Sequence, residues 1–280
     1  MRDRSWVAGL ALLVAACGGP GPADAPPGGS TIPAAEGPGA AATEPVASAA
    51  PSAPAPAKGR TVKEENEMYT FSYAYPDAAA AIPDLRALFD RRLEEEKADL
   101  VSATRSEKAD AEKEGFPFRP HAREIEWKVV ADVPGWLSLS STQYGYTGGA
   151  HGMTVSDSLL WDRSAGISRK PKDLFTSAEA LRSAVQKPFC DALDKERAKR
   201  RGEPVRRDSG AMFDECINPA EQTLILGSSN RRTFDRIGLL VGPYEAGPYA
   251  EGSYEVTLPV TRTVLAAVKP QFRSAFSVAP

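Results

Sequence analysis

Cysteine and histidine are scarce in this chain of 280 residues, which carries three of the first and two of the second. No CxxC or HxxxH spacing occurs, so the usual zinc frameworks have no ligand set, and neither a metal nor another cofactor is expected. No GxSxG elbow is present, which removes the common signature of a serine hydrolase. No pair of carboxylates stands at a spacing that singles it out for glycosidase chemistry. The formal net charge is only −3, so bulk electrostatics gives no reason to expect nucleic-acid binding. Beyond the first residues, no apolar run approaches the roughly 20 residues that cross a bilayer.

What the chain does have begins at its start. Arg2 and Arg4 precede an apolar run from Trp6 to Ala16, followed by Cys17. The run is too short to span a membrane but suits the apolar stretch of a secretory signal. Val14-Ala15-Ala16-Cys17 resembles a bacterial lipobox, which implies a signal peptide over 1–16 and lipidation of Cys17. Acyl chains contribute roughly 0.8 kcal/mol per buried CH₂, and several together hold a protein firmly on a membrane. Gly18 stands where an inner-membrane retention signal of the enterobacterial type has Asp. The expected location is therefore extracytoplasmic, on the outer membrane and facing the periplasm. Residues 17–60 are almost entirely Gly, Pro, Ala, Ser and Thr, with too little apolar surface to offset ordering entropy, so a disordered tether is expected. Such a coil averages about 36 Å end to end.

Cys190 and Cys216 are the remaining cysteines. In an oxidising compartment two leftover thiols usually pair, and closing a loop of this length stabilises a fold by roughly 3 kcal/mol in the chain-entropy model.

The folded part mixes strands and helices. Met68–Tyr75 alternates and meets Pro76, which predicts a strand. From Pro83 to a stop at Gly115 a helical pattern puts Leu85, Leu88, Phe89, Leu93, Leu100 and Val101 on one face. Past Val101 that face loses its large apolar residues, so its last turns are expected to be solvated. Strands are predicted at Glu124–Val130, with Ile125, Trp127 and Val129 sharing a face, then at Trp136–Tyr146 and Met153–Trp161, ending in the turn Asp162–Gly166. A helix over Ala178–Lys199 carries the stripe Leu181, Val185, Phe189, Leu193. Strands near Gln222–Leu226, Phe234–Val241 and Tyr254–Leu258 and a short helix from Pro259 to Val268 complete an α+β fold with a mainly antiparallel sheet and packed helices.

Three stretches stand out. YGYTGGAHG, Tyr144 to Gly152, joins two predicted strands and contains Tyr144, Tyr146 and His151. Gly148 and Gly149 permit positive φ or close backbone approach, Ala150 is expected to pack, and His151 to hydrogen-bond and fix the joint. His151 is also the one candidate general base, with Ser140, Ser141, Thr142 and Asp157 nearby in sequence. The loop Pro243–Gly252 holds Tyr244, Glu245, Pro248, Tyr249 and Glu251. Stiff aromatic anchors among Pro and Gly lose little entropy on binding, and Glu245 and Glu251 suit a basic partner; alternatively the tyrosines cap a sheet edge. Lys195–Arg207 is dense in bases, reading as a solvated helix end or as a dock for anionic lipid or wall polymer.

The joint YGYTGGAHG, the turn WDRSAG, KDLF and the downstream PYEAGPYAEGSYEVTLP together resemble the extracytoplasmic domain of the RsiV type, a lysozyme-sensing anti-sigma factor family. The preceding region, about Met68 to Ser141, is similar to the companion domain found there and in certain peptidoglycan deacetylases. The resemblance implies an N-terminal α+β domain over 61–145 and an RsiV-like domain over 146–280, with residues 200–218 as an elaboration. With a lipobox in place of the cytoplasmic segment and membrane helix of the anti-sigma factors, and no deacetylase catalytic domain expected, the resemblance implies a binding fold without an output. The expected function is accordingly a non-catalytic envelope lipoprotein whose binding module recognises a lysozyme-type glycan hydrolase or wall peptidoglycan. A wall-modifying hydrolase using His151 and a purely structural envelope protein are the alternatives.

Overall fold

The computed structural model describes residues 57–280; the signal peptide, Cys17 and most of the expected tether lie outside the described residues. The fold is α+β with mainly antiparallel sheet, as the sequence pattern implies. The first sheet has six strands in sequence order: β1 (Arg60–Glu65), β2 (Tyr69–Tyr75), β3 (His121–Val133), β4 (Trp136–Tyr146), β5 (Met153–Asp162) and β6 (Ile167–Arg169). β1 begins at the last residue assigned to the tether. It extends the sheet from β2, and the Gly59 amide donates to the Asp77 carboxylate.

All neighbours pair antiparallel except β2 and β3, which run parallel. A parallel pair needs a crossover, here provided by α1 (Asp77–Ala80) and α2 (Pro83–Glu114). Pro83 opens α2, and Gly115 closes it in the left-handed region at φ 77°. Leu85, Phe89, Leu93 and Leu100 are buried as the stripe requires, with Leu88 and Val101 at its margin. The stripe also continues through Thr104 and Ala111, both buried. The last turns of α2 are otherwise largely exposed, as the loss of large apolar residues implies, with only these two small side chains packed inward.

α3 (Ala178–Arg201) follows, started by Ser177, whose hydroxyl accepts from the Ala180 amide. A three-stranded antiparallel sheet then forms from β7 (Thr223–Gly227), β8 (Arg236–Val241) and β9 (Tyr254–Pro259). The final helix, α4 (Arg262–Ala267), is shorter than expected because Thr261 caps it, accepting from the Val264 amide. Cys190 and Cys216 form the expected disulfide and tie α3 to the segment ahead of β7.

Two cores share the long strands. One lies between α2 and the first sheet and contains Phe71, Tyr73, Phe89, Trp127, Leu139 and Trp161. The other joins α3, α4 and the second sheet, and reaches Ala131, Val133, Trp136 and Leu160 of the first. A bulge between Val129 and Ala131 makes this possible. Before it the odd-numbered residues of β3 face α2; after it Ala131 and Val133 face the second core, because one extra residue inverts the alternation. Val129 is the last residue before the shift and keeps the face of Ile125 and Trp127, opposite Leu139, but at 40% exposed it stays out of that core. The boundary expected at 145/146 falls inside the β4–β5 hairpin. Among the described residues no helix is long and apolar enough to cross a membrane.

Candidate functional site

The β4–β5 joint is held by its own carbonyls. Arg119 donates to the Gly148 and Gly149 carbonyl oxygens, 3.1 Å each, and the Tyr146 hydroxyl donates to Gly149 at 3.0 Å. Gly148 takes φ 85°, a conformation costly for any residue with a β-carbon. Gly149 does not adopt positive φ, and Ala150 is exposed instead of packed. At Gly152 the Tyr144 ring lies so close that no side chain fits without displacing it.

The Gly152 carbonyl oxygen is the meeting point of the two loops. His151 Nδ1 lies 2.9 Å from it and the Tyr249 hydroxyl donates to it at 2.9 Å. A carbonyl only accepts, so Nδ1 is the donor in that bond, and Nε2 lies 3.2 Å from the Tyr244 hydroxyl. The His151 ring stacks on Tyr249, with centroids 4.0 Å apart, and Tyr244 lies 5.6 Å from Tyr249. His151, Tyr244 and Tyr249 thus form one aromatic rim from segments about a hundred residues apart, with the Tyr144 ring packed nearby against Gly152. His151 is exposed, Tyr244 is 46% exposed, and Tyr144 and Tyr249 are half-buried. Tyr244 holds φ 68°, a strained backbone for a bulky residue and one that tends to mark binding sites. Tyr144 also borders a trough of 390 Å³ over the uncovered sheet face, floored by Thr61, Ser72, Ala74 and Thr142.

The other expected site residues divide. Tyr146 braces the joint through Gly149. Glu245 and Pro248 are exposed beside the rim, Pro248 leading into a 3₁₀ turn over Tyr249–Glu251. Glu251 faces inward, which corrects its expected role as a surface charge. Its carboxylate pairs with Arg201 at 2.8 Å and accepts from the Tyr254 hydroxyl. Burial raises the Glu251 carboxyl, but the Arg201 guanidinium and the Tyr254 hydroxyl outweigh it and hold the group below its ordinary range. Burial, then the bond to Glu251, pushes Tyr254 up to about 12.

The support beneath the loop comes from residues that the sequence reading placed at a solvated or ligand-docking helix end. Arg197 is fully buried; it donates to the Ala246 carbonyl at 2.8 Å and to the Glu215 carbonyl at 3.0 Å, and pairs with Asp194 at 3.3 Å. Arg201 joins Glu251, Asp214 and Ala246. Arg200 donates to the Glu251 and Ser253 carbonyls and lies over the Tyr254 ring, 3.8 Å from its centroid. Arg207 pairs with Asp191 and Asp194. Arg197 and Arg201 are thereby engaged inside the fold, and Arg200 and Arg207, though exposed, are bonded within the chain, so these four are not a free cationic dock. A signal was present: Leu181, Val185, Phe189, Leu193 recur every fourth residue, and the next positions are Arg197 and Arg201.

Among the described residues no group of three His, Cys, Asp or Glu side chains is placed to hold a metal ion. The other histidine, His121, is buried at the start of β3, near the Phe118 ring.

Residues 62–154 match the family model of deacetylase PdaC, a span that covers β1 to the start of β5. No curated protein matches the chain. Among solved structures, it is similar to a DUF3298 family protein from Pseudomonas aeruginosa PAO1 at 18% identity and a TM-score of 0.47, covering 80% of this chain and 99% of that one. It is also similar to a DUF3298 family member from Bacteroides fragilis NCTC 9343 at 19% identity and a TM-score of 0.44, covering 73% and 90%.

Proposed function

We propose that the chain is a non-catalytic binding module, held at the cell envelope by a lipid on Cys17, which recognises a glycan hydrolase of the lysozyme type or the wall glycan. One observation carries this reading: His151, Tyr244 and Tyr249 come together at the surface, with Tyr244 kept in a strained backbone conformation. Strain of this kind persists only where the surrounding structure imposes it. The Arg197 and Arg201 contacts under the loop supply that imposition. Pre-ordered aromatic side chains bind with little further loss of entropy, which is how compact loops gain affinity. Glu245, exposed next to Tyr244, adds a negative charge that suits a basic protein. Both His151 nitrogens are engaged, by Gly152 and Tyr244, which favours a positioning role for this ring over a base. The RsiV-type likeness of the joint and the PYEAG loop points the same way.

Calorimetric titration of the full chain with a c-type lysozyme and with muropeptides tests the reading. Wild type should bind one of them saturably, and Tyr249→Ala should weaken binding by about 2 kcal/mol, roughly thirtyfold. Tyr244→Gly separates binding from folding: it removes the ring and relieves the left-handed backbone, so binding should drop while stability holds or rises by up to about 1 kcal/mol. Unchanged binding in both variants would remove the rim from recognition, and no binding to either ligand would overturn the function.

A further inference from the structure

The first sheet has two edges, and they are finished differently. On one side β6 is only three residues long. Where β5 runs past it, the Thr223 hydroxyl donates to the Ser156 carbonyl and the Asp157 carboxylate accepts from the Ser158 amide. The other edge is β1, six residues paired on one side with β2 in unbroken register. It contains no proline and no bulge, two of the devices that blunt an edge. Among the described residues nothing bonds to its outer backbone groups. Residues 57–59 turn away from it, since Asp77 holds the Gly59 amide and Ala57 packs against the α2 core.

An open edge is completed by another strand, and a second copy of β1 fits this one. In a symmetric antiparallel pair, residues of equal parity stand opposite each other, so both copies of α2 lie on one face of the joined sheet. One such register matches charge along the whole strand. With Val62 on the two-fold axis, Arg60 stands opposite the partner's Glu64, and Thr61 opposite the partner's Lys63. Moving the axis to Lys63 sets two lysines face to face and puts Val62 against the partner's Glu64. Moving it to Thr61 leaves three strand residues paired on each copy. Within the chain Arg60 already pairs with Asp90 at 2.8 Å and Glu64 with Lys97 at 2.5 Å, and all four side chains remain partly exposed. Across the axis they would alternate in sign, from Asp90 and Arg60 to the partner's Glu64 and the partner's Lys97. α2 packs over β2 and β3, so at about 4.8 Å between strands the two helices stand about 19 Å apart and do not collide.

We infer that β1 is a homodimer interface, through which two copies pair about an axis at Val62 and join their six-stranded sheets into one. The contact is one strand wide, at the small end of specific interfaces, so the association is weak, with a Kd on the order of 10–100 μM. It lies away from the aromatic rim and does not depend on what the rim binds.

Sedimentation equilibrium of the full chain should show monomer and dimer exchanging in that range, and amide hydrogen exchange in β1 should slow as concentration rises through it. Arg60→Glu and Glu64→Arg each set like charges together at both contacts, and each alone should weaken self-association at least tenfold. Mixed, the two variants restore opposite charge at both contacts and should form a heterodimer about as tight as the wild-type dimer. Circular dichroism spectra of both should match the wild type; the exchange measurement needs no variant. A chain that stays monomeric up to about 1 mM, a dimer whose β1 exchange ignores concentration, or a mixture of folded variants no tighter than either alone would each overturn the proposal.

Discussion

α2 and α3 both end in dense charge, yet the two ends have opposite fates. From Arg105 to Glu114 the charged side chains of α2 turn to solvent, and the buried stripe passes through Thr104 and Ala111. In α3 the stripe itself runs into Arg197 and Arg201, and those arginines turn inward. The helices do not differ in the amount of charge so much as in which helical positions carry it. A guanidinium on the buried face is tolerated only when acceptors from elsewhere meet it. Here the Ala246 and Glu215 carbonyls, Asp214 and Glu251 do so, from two segments that regular structure does not otherwise order. The charge of α2 solubilises a surface, whereas that of α3 builds the base of the aromatic rim.

The sharpest way to break this contrast is to remove one charge from each helix. Arg197→Ala leaves the Ala246 and Glu215 carbonyls without their donor and should cost about 3–5 kcal/mol in denaturant unfolding. Glu112→Ala on α2, exposed and unpaired among the described residues, should stay within about 0.5 kcal/mol. Equal losses would end the distinction. Next in size is the disulfide: Cys190→Ser with Cys216→Ser frees the segment that supplies Glu215 and Asp214, and should lower stability by about 3 kcal/mol.

The smallest effect is the pH dependence of the clasp. The carboxyl of Glu251 lies below its ordinary value of 4.5 in the folded protein. Its contribution is therefore complete above about pH 4.5 and is lost as pH falls through the folded value. Glu251→Gln should cost about 1–2 kcal/mol at neutral pH and should flatten the acid limb of a stability profile measured below pH 5. An acid limb as steep as that of the wild type would show that Arg201 does not depend on this carboxylate.

Much of the architecture was legible in the chain. Periodicity placed α2 and α3, the Pro83 start and the Gly115 stop, because local steric rules act within a turn or two. The cysteine pair was legible because few pairings were possible. The aromatic rim was half legible: Gly-rich and Pro-rich stretches identified both loops, but nothing local says that Tyr249 reaches the Gly152 carbonyl across 97 residues. Glu251 misled for the same reason, since an acid in a loop looks exposed until its partner is known. The turn of Ala131 and Val133 to the second core was not legible, because a bulge is a pairing event between two strands and not a property of one.

By itself the sequence determined the elements, the α+β class, the disulfide and the two segments that carry the tyrosines, all set by short-range sterics, apolar periodicity and composition. Only the tertiary structure decided which face of β3 serves which core, which arginines are buried, and that the two loops meet. Those outcomes depend on hydrogen-bond acceptors and packing surfaces contributed by remote parts of the chain, and they exist only once the sheets have closed on both helices.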